Sequence, residues 1–376
     1  MPGPLEGLRV VELGQVFAAP FAGAILADLG AEVVKVERIE GGDDARRMGT
    51  AFRHGDALNF HIFNRGKRSA ALDLRSAQGR SSLEQLVEPA DVFIHNLRPD
   101  VPKALGLDSV TLCARHPRLI YGEISAFGHL GPLAQRPGYE PLIQAYSGLS
   151  STNGGPNDPP VRAGAALCDQ GSGMWLVIGV LALLQQRQRT GRGGILQTSL
   201  LETALVWNAQ KSDAYVNEGR LPQRHRSGHP DFVPYEAFDA QDAPLLICCG
   251  NDRLFGKLAQ ELGRPDWAAD PRFATNRARL VHKAALLAEL EPLLRQQARA
   301  QWLERFEAAG VPCSPIHSVP EALAQPQVQA LGLLADVPGE DFQLTALPLT
   351  IDGKRPDITA GAPRLGEHPA GAPRPT

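Results

Sequence analysis

A chain of 376 residues, 43% apolar and 21% charged, has the make-up of a globular protein of roughly two to three domains, which excludes a disordered chain, a fibrous repeat and a lone small module. Lys and Arg number 38 against 41 Asp and Glu, a formal charge of −3, so no overall basic field draws in nucleic acid. The most apolar run, residues 174–184, falls short of the roughly 20 residues that cross a bilayer, and no membrane partner is expected.

Residues 8–13 form an apolar run rich in β-branched side chains and predict a strand. The Ala-rich stretch up to Leu29 predicts a helix stopped by Gly30, and residues 31–37 predict a second strand. Glu6 and Glu12 lie in this first segment with no basic run ahead of them, so it reads as a strand and not as a signal peptide. Further apolar runs at 91–94 and 119–124 give the pattern of an α/β protein, a Rossmann-like parallel sheet with helices on its faces. Ligands of such sheets bind beyond the carboxyl ends of the strands. Those ends are Gly14, Gln15 and Val16, then Arg38, Asn96 and residues 125–128. A long apolar helix is expected from Asp169 to Arg189, where the glycines of 190–194 stop it, and another helix follows Ser199. The polar stretch 217–226 reads as a connection. A second, smaller α/β unit begins near Gly228, with a strand at 244–249, a helix at 254–262, one or two helices over 283–309, and strand and helix character over 311–334. The tail from Pro363 to Thr376 is dense in Pro, Gly and Ala and is expected to be flexible.

There is no GxGxxG after the first strand, no Walker A, no GxSxG and no HExxH, so dinucleotide, nucleoside triphosphate, serine hydrolase and zincin chemistry lose their usual support. His225 and His229, with Asp231 nearby, have metal-ligand spacing, but Ser227, Gly228 and Pro230 make a shared helical face a poor reading, and no metal site is expected. Five cysteines (Cys113, Cys168, Cys248, Cys249, Cys313) form no CxxC and suit a reducing, cytoplasmic setting, Cys248 and Cys249 as small core residues on opposite faces of a strand. The carboxylate that stands out is Asp169, before Gly-Ser-Gly and an apolar helix. It reads as the helix N-cap and also as a nucleophile, because a helix N-terminus favours negative charge and should keep the group ionised at neutral pH. Gly171 and Gly173 would let a bulky substrate approach the backbone, with their amides stabilising an oxyanion.

The blocks LEGLRVVEL (5–13), ADLGAEVVKVE (27–37), NLRP (96–99) and GPLAQRPGY (131–139) resemble class III coenzyme A transferases, the CaiB/BaiF family. TGRG (190–193), SLLE (199–202), ND (251–252), DPRFATN (270–276) and GVPC (310–313) continue the resemblance in order along nearly the whole chain. It implies a large α/β domain (1–207, completed by 310–376), a linker (208–228), a small α/β domain (229–309) and an interlocked homodimer, with the chain crossing between domains over 208–228 and around Gly310. It also implies that Asp169 is the nucleophile. Its carboxylate would attack a donor acyl-CoA to give a mixed anhydride, then an aspartyl-CoA thioester, from which an acceptor acid takes the CoA. Coenzyme A is then a substrate and no cofactor is tightly bound; family frequency suggests succinyl-CoA as donor and a small dicarboxylic, hydroxy or aromatic acid as acceptor, a choice that no residue here decides. By the same resemblance Gln15, Val16, Ala18, Arg38, Leu72, Arg75, Asn96, Leu97, Lys103 and Tyr139 line the CoA path. Arg38, Arg75 and Lys103 have the charge for its phosphates and adenine face.

Some residues depart from the family's pattern. An α-methylacyl-CoA racemase, the main alternative, pairs the aspartate with a histidine where this chain has Tyr139, and a phenol with a reference pKa of about 10 is a poor second base. His129 is the nearest other histidine in sequence. A non-catalytic acyl-CoA-binding homologue is a further alternative, against which the presence of Asp169 argues. Glu140 and Glu202 stand where many relatives have Asp. The stretch 227–235 holds one glycine where formyl-CoA:oxalate enzymes carry a run of them, which disfavours formyl and oxalate substrates.

Overall fold

The computed structural model describes residues 3–369. In chain order the first part comprises β1 (Arg9–Leu13), α1 (Ala18–Asp28), β2 (Glu32–Glu37), the two-residue strands β3 (Phe52–Arg53) and β4 (Asp56–Ala57), α2 (Leu58–Asn64), β5 (Arg68–Ala71), α3 (Ala77–Val87) and β6 (Val92–His95). It continues through α4 (Asp100–Leu105), α5 (Ser109–Arg115), β7 (Ile120–Ser125), α6 (Glu140–Tyr146), α7 (Leu167–Thr190), β8 (Gly194–Ser199), α8 (Leu200–Trp207) and α9 (Ala209–Glu218). Six strands make one sheet in the order β5-β2-β1-β6-β7-β8, every pairing parallel. The expected Rossmann-like sheet is therefore present. All carboxyl ends lie along one edge, and the chain's progress through the sheet reverses between β1 and β6.

The central strands were legible because a parallel strand covered on both faces needs an unbroken apolar run. β1 is buried from Val10 to Leu13 and β6 throughout. The edge strands β5 and β8 were not foreseen. β5 is the short segment RSAA, and β8 alternates half-buried and exposed residues up to its buried Ser199. Helix α7 begins at Leu167, not at Asp169, and its 24 residues run to Thr190, followed by Gly191 in the left-handed conformation of a helix stop. By length and composition α7 could cross a membrane, contrary to the expectation from its shorter apolar run. Instead it is the crossover helix between β7 and β8, with Leu176, Val177 and Val180 buried in the same core as Ile94, Ile120 and Ile124.

Residues 150–161 and 214–328 form a second unit. It contains β9 (Tyr235–Asp239), β10 (Pro244–Cys248), α10 (Asp252–Glu261), α11 (Asn276–Val281), α12 (Lys283–Leu294), α13 (Arg299–Ala309) and β11 (Cys313–Pro315). Its sheet is antiparallel, ordered β11-β10-β9, and its core centres on Phe255, Trp267, Phe273, Leu290 and Phe306. The ND and DPRFATN blocks are structural here. Asn251 caps α10, Thr275 caps α11, and the buried Arg279 guanidinium donates to the carbonyls of Val233 (2.6 Å) and Phe273 (2.8 Å) and to Asp252 (2.9 Å). Gly310 is no crossing between domains. It is the left-handed stop of α13, well inside this unit. The expected connection 208–228 is half helix, α9 filling its first part.

The chain returns to the first unit at Gln329. Within the stretch expected to be flexible, residues 363–369 carry no helix or strand but are tied to the sheet. Pro363 O accepts from Arg46, Gly366 N–H donates to Ser69 Oγ, and His368 N–H donates to Ser69 O. Residues 370–376 of that tail lie outside the described residues.

Helix α1 packs so closely on α7 that a Cβ on Gly173 would stand 2.7 Å from Ala18 O and 3.3 Å from Ala22 N. Gly173→Ala is expected to lower unfolding stability by about 1–3 kcal/mol, read as a reduced urea midpoint. An unchanged midpoint would mean that this approach is not tight.

Candidate active site

The first turn of α7 is built by three neighbours. Glu140, at the start of α6, accepts the amide protons of Cys168 (3.2 Å) and Asp169 (2.7 Å) on its two carboxylate oxygens. Gln144 fixes that carboxylate by donating to Oε1 at 2.7 Å. From α8, the Trp207 indole donates to Leu167 O at 3.3 Å, and a Cβ on Gly171 would stand 2.6 Å from Thr203 Cγ2. From α1, the Ala18 carbonyl lies against Gly173. Asp169, one turn before Gly173, is thereby held beside the start of α1, at the edge where the strands end.

Three sequence-based expectations fail here. Asp169 is not the N-cap, since that position is Ala166 and the capping carboxylate comes from Glu140. Nor does the helix N-terminus keep Asp169 fully ionised at neutral pH, as expected. Glu140 already occupies the free amides, and burial, then the Glu140 charge, push the Asp169 carboxyl up to about 7. Among the described residues nothing donates a hydrogen bond or ion pair to its side chain. Gly171 and Gly173 also serve otherwise than expected. Both are buried inside α7 and admit α8 and α1, not a substrate.

The switch point of the sheet is stitched by side chain to backbone. Asn96 Oδ1 accepts Gln15 N–H at 2.8 Å and Asn96 Nδ2 donates to Gln15 O at 2.9 Å, so its amide fixes the β1 turn. Val16 follows at φ +63°, and Phe17 N–H closes back on Gln15 O at 2.9 Å. Ala18, the buried first residue of α1, comes next, with no side chain capping that helix. Beside Asn96, the buried His95 ring accepts Leu97 N–H on Nδ1 (3.2 Å) and meets Tyr121 Oη at 2.6 Å on Nε2. Burial pulls it down to about 4, leaving a neutral imidazole that shapes the Leu97 turn.

The other sequence candidates spread along the same edge. Arg38 follows β2, donating to Gly42 O and to Asp44. Leu72 follows β5 and, like Leu97, is partly buried against one apolar cluster. Arg75 and Lys103 are exposed, Lys103 on α4 just beyond β6, and neither side chain has an ion pair among the described residues. Tyr139 is 67% exposed at the N-cap of α6. Glu202 receives the Ser199 hydroxyl at 2.6 Å at the start of α8. His225, His229 and Asp231 do not form a ligand set, and among the described residues no group of three or more His, Cys, Asp or Glu does. The capping role of Glu140 was missed because no local spacing signals a cap supplied from 29 residues away.

Asp169 is uncharged below the ordinary carboxylate range in both folded and unfolded chains. Between there and about pH 7 only the unfolded chain ionises freely, so stability from this group is lost as pH rises through about 7. Asp169→Asn is therefore expected to match the wild type at pH 4 and to exceed it by roughly 2–4 kcal/mol at pH 8, measured by denaturant unfolding. Equal stability at both pH values would refute the raised pKa.

Comparison with known proteins follows the same lines. The model of CoA-transferase family III matches residues 5–369. An acetyl-CoA:oxalate CoA-transferase of Acetobacter aceti is 38% identical over 370 residues, covering 98% of this chain and 94% of the relative. A succinate–glutarate CoA-transferase of Agrobacterium fabrum is also 38% identical, over 376 residues, with 98% and 94% covered. The crystal structure of a CaiB/BaiF family protein from Brucella suis superposes with a TM-score of 0.89 at 38% identity, covering 98% of each chain. The chain thus belongs to CoA-transferase family III and is a CoA-transferase.

Proposed function

We propose that the protein moves CoA between two carboxylic acids through covalent intermediates on Asp169. The observation that carries this reading is the Asp169 carboxylate itself, half-buried and, among the described residues, free of any side-chain partner, on a helix start held by Glu140, Trp207 and the backbone of α1. A carboxylate oxygen of Asp169 attacks the thioester carbonyl of the donor. The C–S bond breaks, CoA leaves as thiolate, and a mixed anhydride remains. Thiolate then attacks the aspartyl carbonyl, which expels the donor carboxylate and leaves an aspartyl-CoA thioester. The acceptor carboxylate attacks that thioester, and the returning thiolate attacks the acceptor's acyl carbon to give the new acyl-CoA and regenerate Asp169. No water enters any step, so the thioester's free energy is conserved. With a pKa of about 7, Asp169 is substantially ionised at neutral pH and more nucleophilic than an ordinary carboxylate.

Coenzyme A runs along the carboxyl edge of the sheet in this reading. Gln15, Val16 and Ala18 approach the thioester, Leu72, Leu97, Asn96 and Tyr139 line the path, and Arg38, Arg75 and Lys103 meet the phosphates and adenine. The unpaired, exposed Arg75 and Lys103 support that assignment. The acids are small mono- or dicarboxylates, of the kind named for the relatives. We read the working form as a homodimer, for which the interlocked arrangement is the resemblance's implication. The exposed Met174, Trp175, Ile178 and Leu181 of α7 and Leu205, Val206 and Trp207 of α8 support it, because monomers rarely expose so large an apolar surface. Five free thiols suit a cytoplasmic site of action.

The test is to incubate the protein with a panel of acyl-CoA donors, trap with hydroxylamine or borohydride, and map the modified residue by peptide mass spectrometry. Modification at Asp169 that requires acyl-CoA is expected, and Asp169→Ala is expected to reduce transfer by at least about a thousandfold while CoA still binds. Trapping nowhere, together with α-proton exchange on a branched acyl-CoA, would favour the racemase. Glu140→Gln should move the acid limb of the kcat/KM profile from about pH 7 toward the ordinary carboxylate range without reaching it, because burial is the larger cause of the shift and Glu140 the second. An unmoved limb would remove Glu140 from the electrostatics of the site.

A further inference from the structure

Beneath the β1–α1 turn lies a group of six buried ionised side chains, the carboxylates of Glu12, Glu37 and Asp43 and the cations of Lys35, Arg46 and Lys67. Lys35 Nζ lies 3.0 Å from Glu12 and 2.8 Å from Asp43, and Lys67 Nζ lies 2.7 Å from Glu12. Arg46 pairs with Glu37 at 2.7 Å, and Glu37 accepts Asp43 N–H at 2.9 Å. Such a cluster is a poor source of stability, because desolvation offsets much of the attraction. Its contacts with the main chain are more telling, since three of them fall on one short segment. Lys35 donates to Gly14 O (2.7 Å), Asp43 accepts Val16 N–H (2.9 Å), and Lys67 donates to Pro20 O (2.8 Å).

Val16 is the reason such a clamp is needed. It is β-branched and stands at φ +63°, where side chains with a branched Cβ rarely go, with the Phe17-to-Gln15 hydrogen bond closed around it. A glycine would adopt that conformation freely, but would also leave it freely. A valine stays there only if its surroundings hold it, and the one acceptor on its amide is the Asp43 carboxylate, fixed in turn by Lys35 and by the amide of Ala45.

We propose that Asp43 is a positioning residue for acyl-CoA. It holds Val16 in the left-handed conformation and so sets Gln15 and the first amides of α1 at the edge where Asp169 reacts. This rests on the reading of that edge as the acyl-CoA site. The plainer role open to Asp43 is to cap the short helical turn that begins at Asp44, and the two roles predict different results at Val16.

Asp43→Ala alone leaves Lys35 sharing Glu12 in a buried site and could unfold the chain. The pair Lys35→Met/Asp43→Ala removes one charge of each sign and leaves the Glu12–Lys67 pair intact, so it serves as the second variant. For either variant KM for acyl-CoA is expected to rise by about 10-fold or more, with kcat changed less. Amide hydrogen exchange over residues 14–19 should quicken while other segments keep wild-type rates. Adding Val16→Gly in the same background should recover at least about threefold of the lost affinity, because glycine carries no left-handed penalty. A capping role predicts no such recovery. The proposal is overturned if exchange over 14–19 and KM stay at wild-type values, or if Val16→Gly recovers nothing. Should the wild type bind no CoA thioester, the transferase reading falls, and the exchange rates over 14–19, which need no ligand, still decide whether Asp43 holds the turn.

Discussion

The carboxylate of Glu140 sits on the free amides that begin α7, the position at which a helix most readily accepts negative charge. That placement decides what Asp169 can be. Had Asp169 been the cap, its oxygens would have been engaged with backbone amides and its basicity lowered. With Glu140 there, Asp169 is third in the helix, has no donor to its side chain among the described residues and faces a like charge in a half-buried setting. One acid takes the structural task and leaves the other chemically available. Gln144 secures the division by holding Glu140 from within α6.

A second carboxylate treats the neighbouring turn in a similar way. Asp43 receives Val16 N–H as Glu140 receives Asp169 N–H, and both arrive from segments remote in sequence. Close backbone packing completes the arrangement. Gly173 admits the Ala18 carbonyl, and Gly23 lies so near Glu12 that an added Cβ would stand 2.0 Å from its carboxylate. The site is therefore made of main-chain segments brought together by small residues and fixed by buried acids. The Gln15–Asn96 stitch across β1 and β6 belongs to the same scheme.

These features explain what the sequence could and could not reveal. Fully covered strands such as β1 and β6 announce themselves as β-branched runs, and α7 is marked by its glycine stop, so the sheet's centre and its ligand edge were legible. The edge strands β5 and β8 lack that continuous apolar signature because one side of each has no neighbouring strand. Asp169 was visible as a carboxylate at a helix start, but the usual meaning of Asp there, an N-cap, misplaced the helix boundary and hid the burial and like charge that raise its pKa. Asn96 was read as a residue of the ligand edge, and what the sequence could not show is that its amide also pairs with the Gln15 backbone. Asp43 and Arg46, within the run GGDDARR, look like a solvated charged loop. Only the fold carries them under β1 and β2, where Asp43 meets Val16 and Arg46 meets Pro363, contacts that no local pattern announces.

The energy that raises the Asp169 pKa also bears on the proposed chemistry. Moving a carboxyl from 3.8 to about 7 corresponds to roughly 4 kcal/mol at most of penalty on the anion, arising from burial and from Glu140. An acylated Asp169, as anhydride or thioester, is neutral and escapes both terms. Relative to a solvated carboxylate, the site therefore disfavours the free ionised nucleophile and not its covalent adducts. Hydrogen-bond donors aimed at the Asp169 oxygens would reverse that preference, and none is present among the described residues. In the proposed chemistry the same burial that makes the anion costly would also limit the water reaching the adduct, giving nucleophilicity and protection of the intermediate a common physical origin.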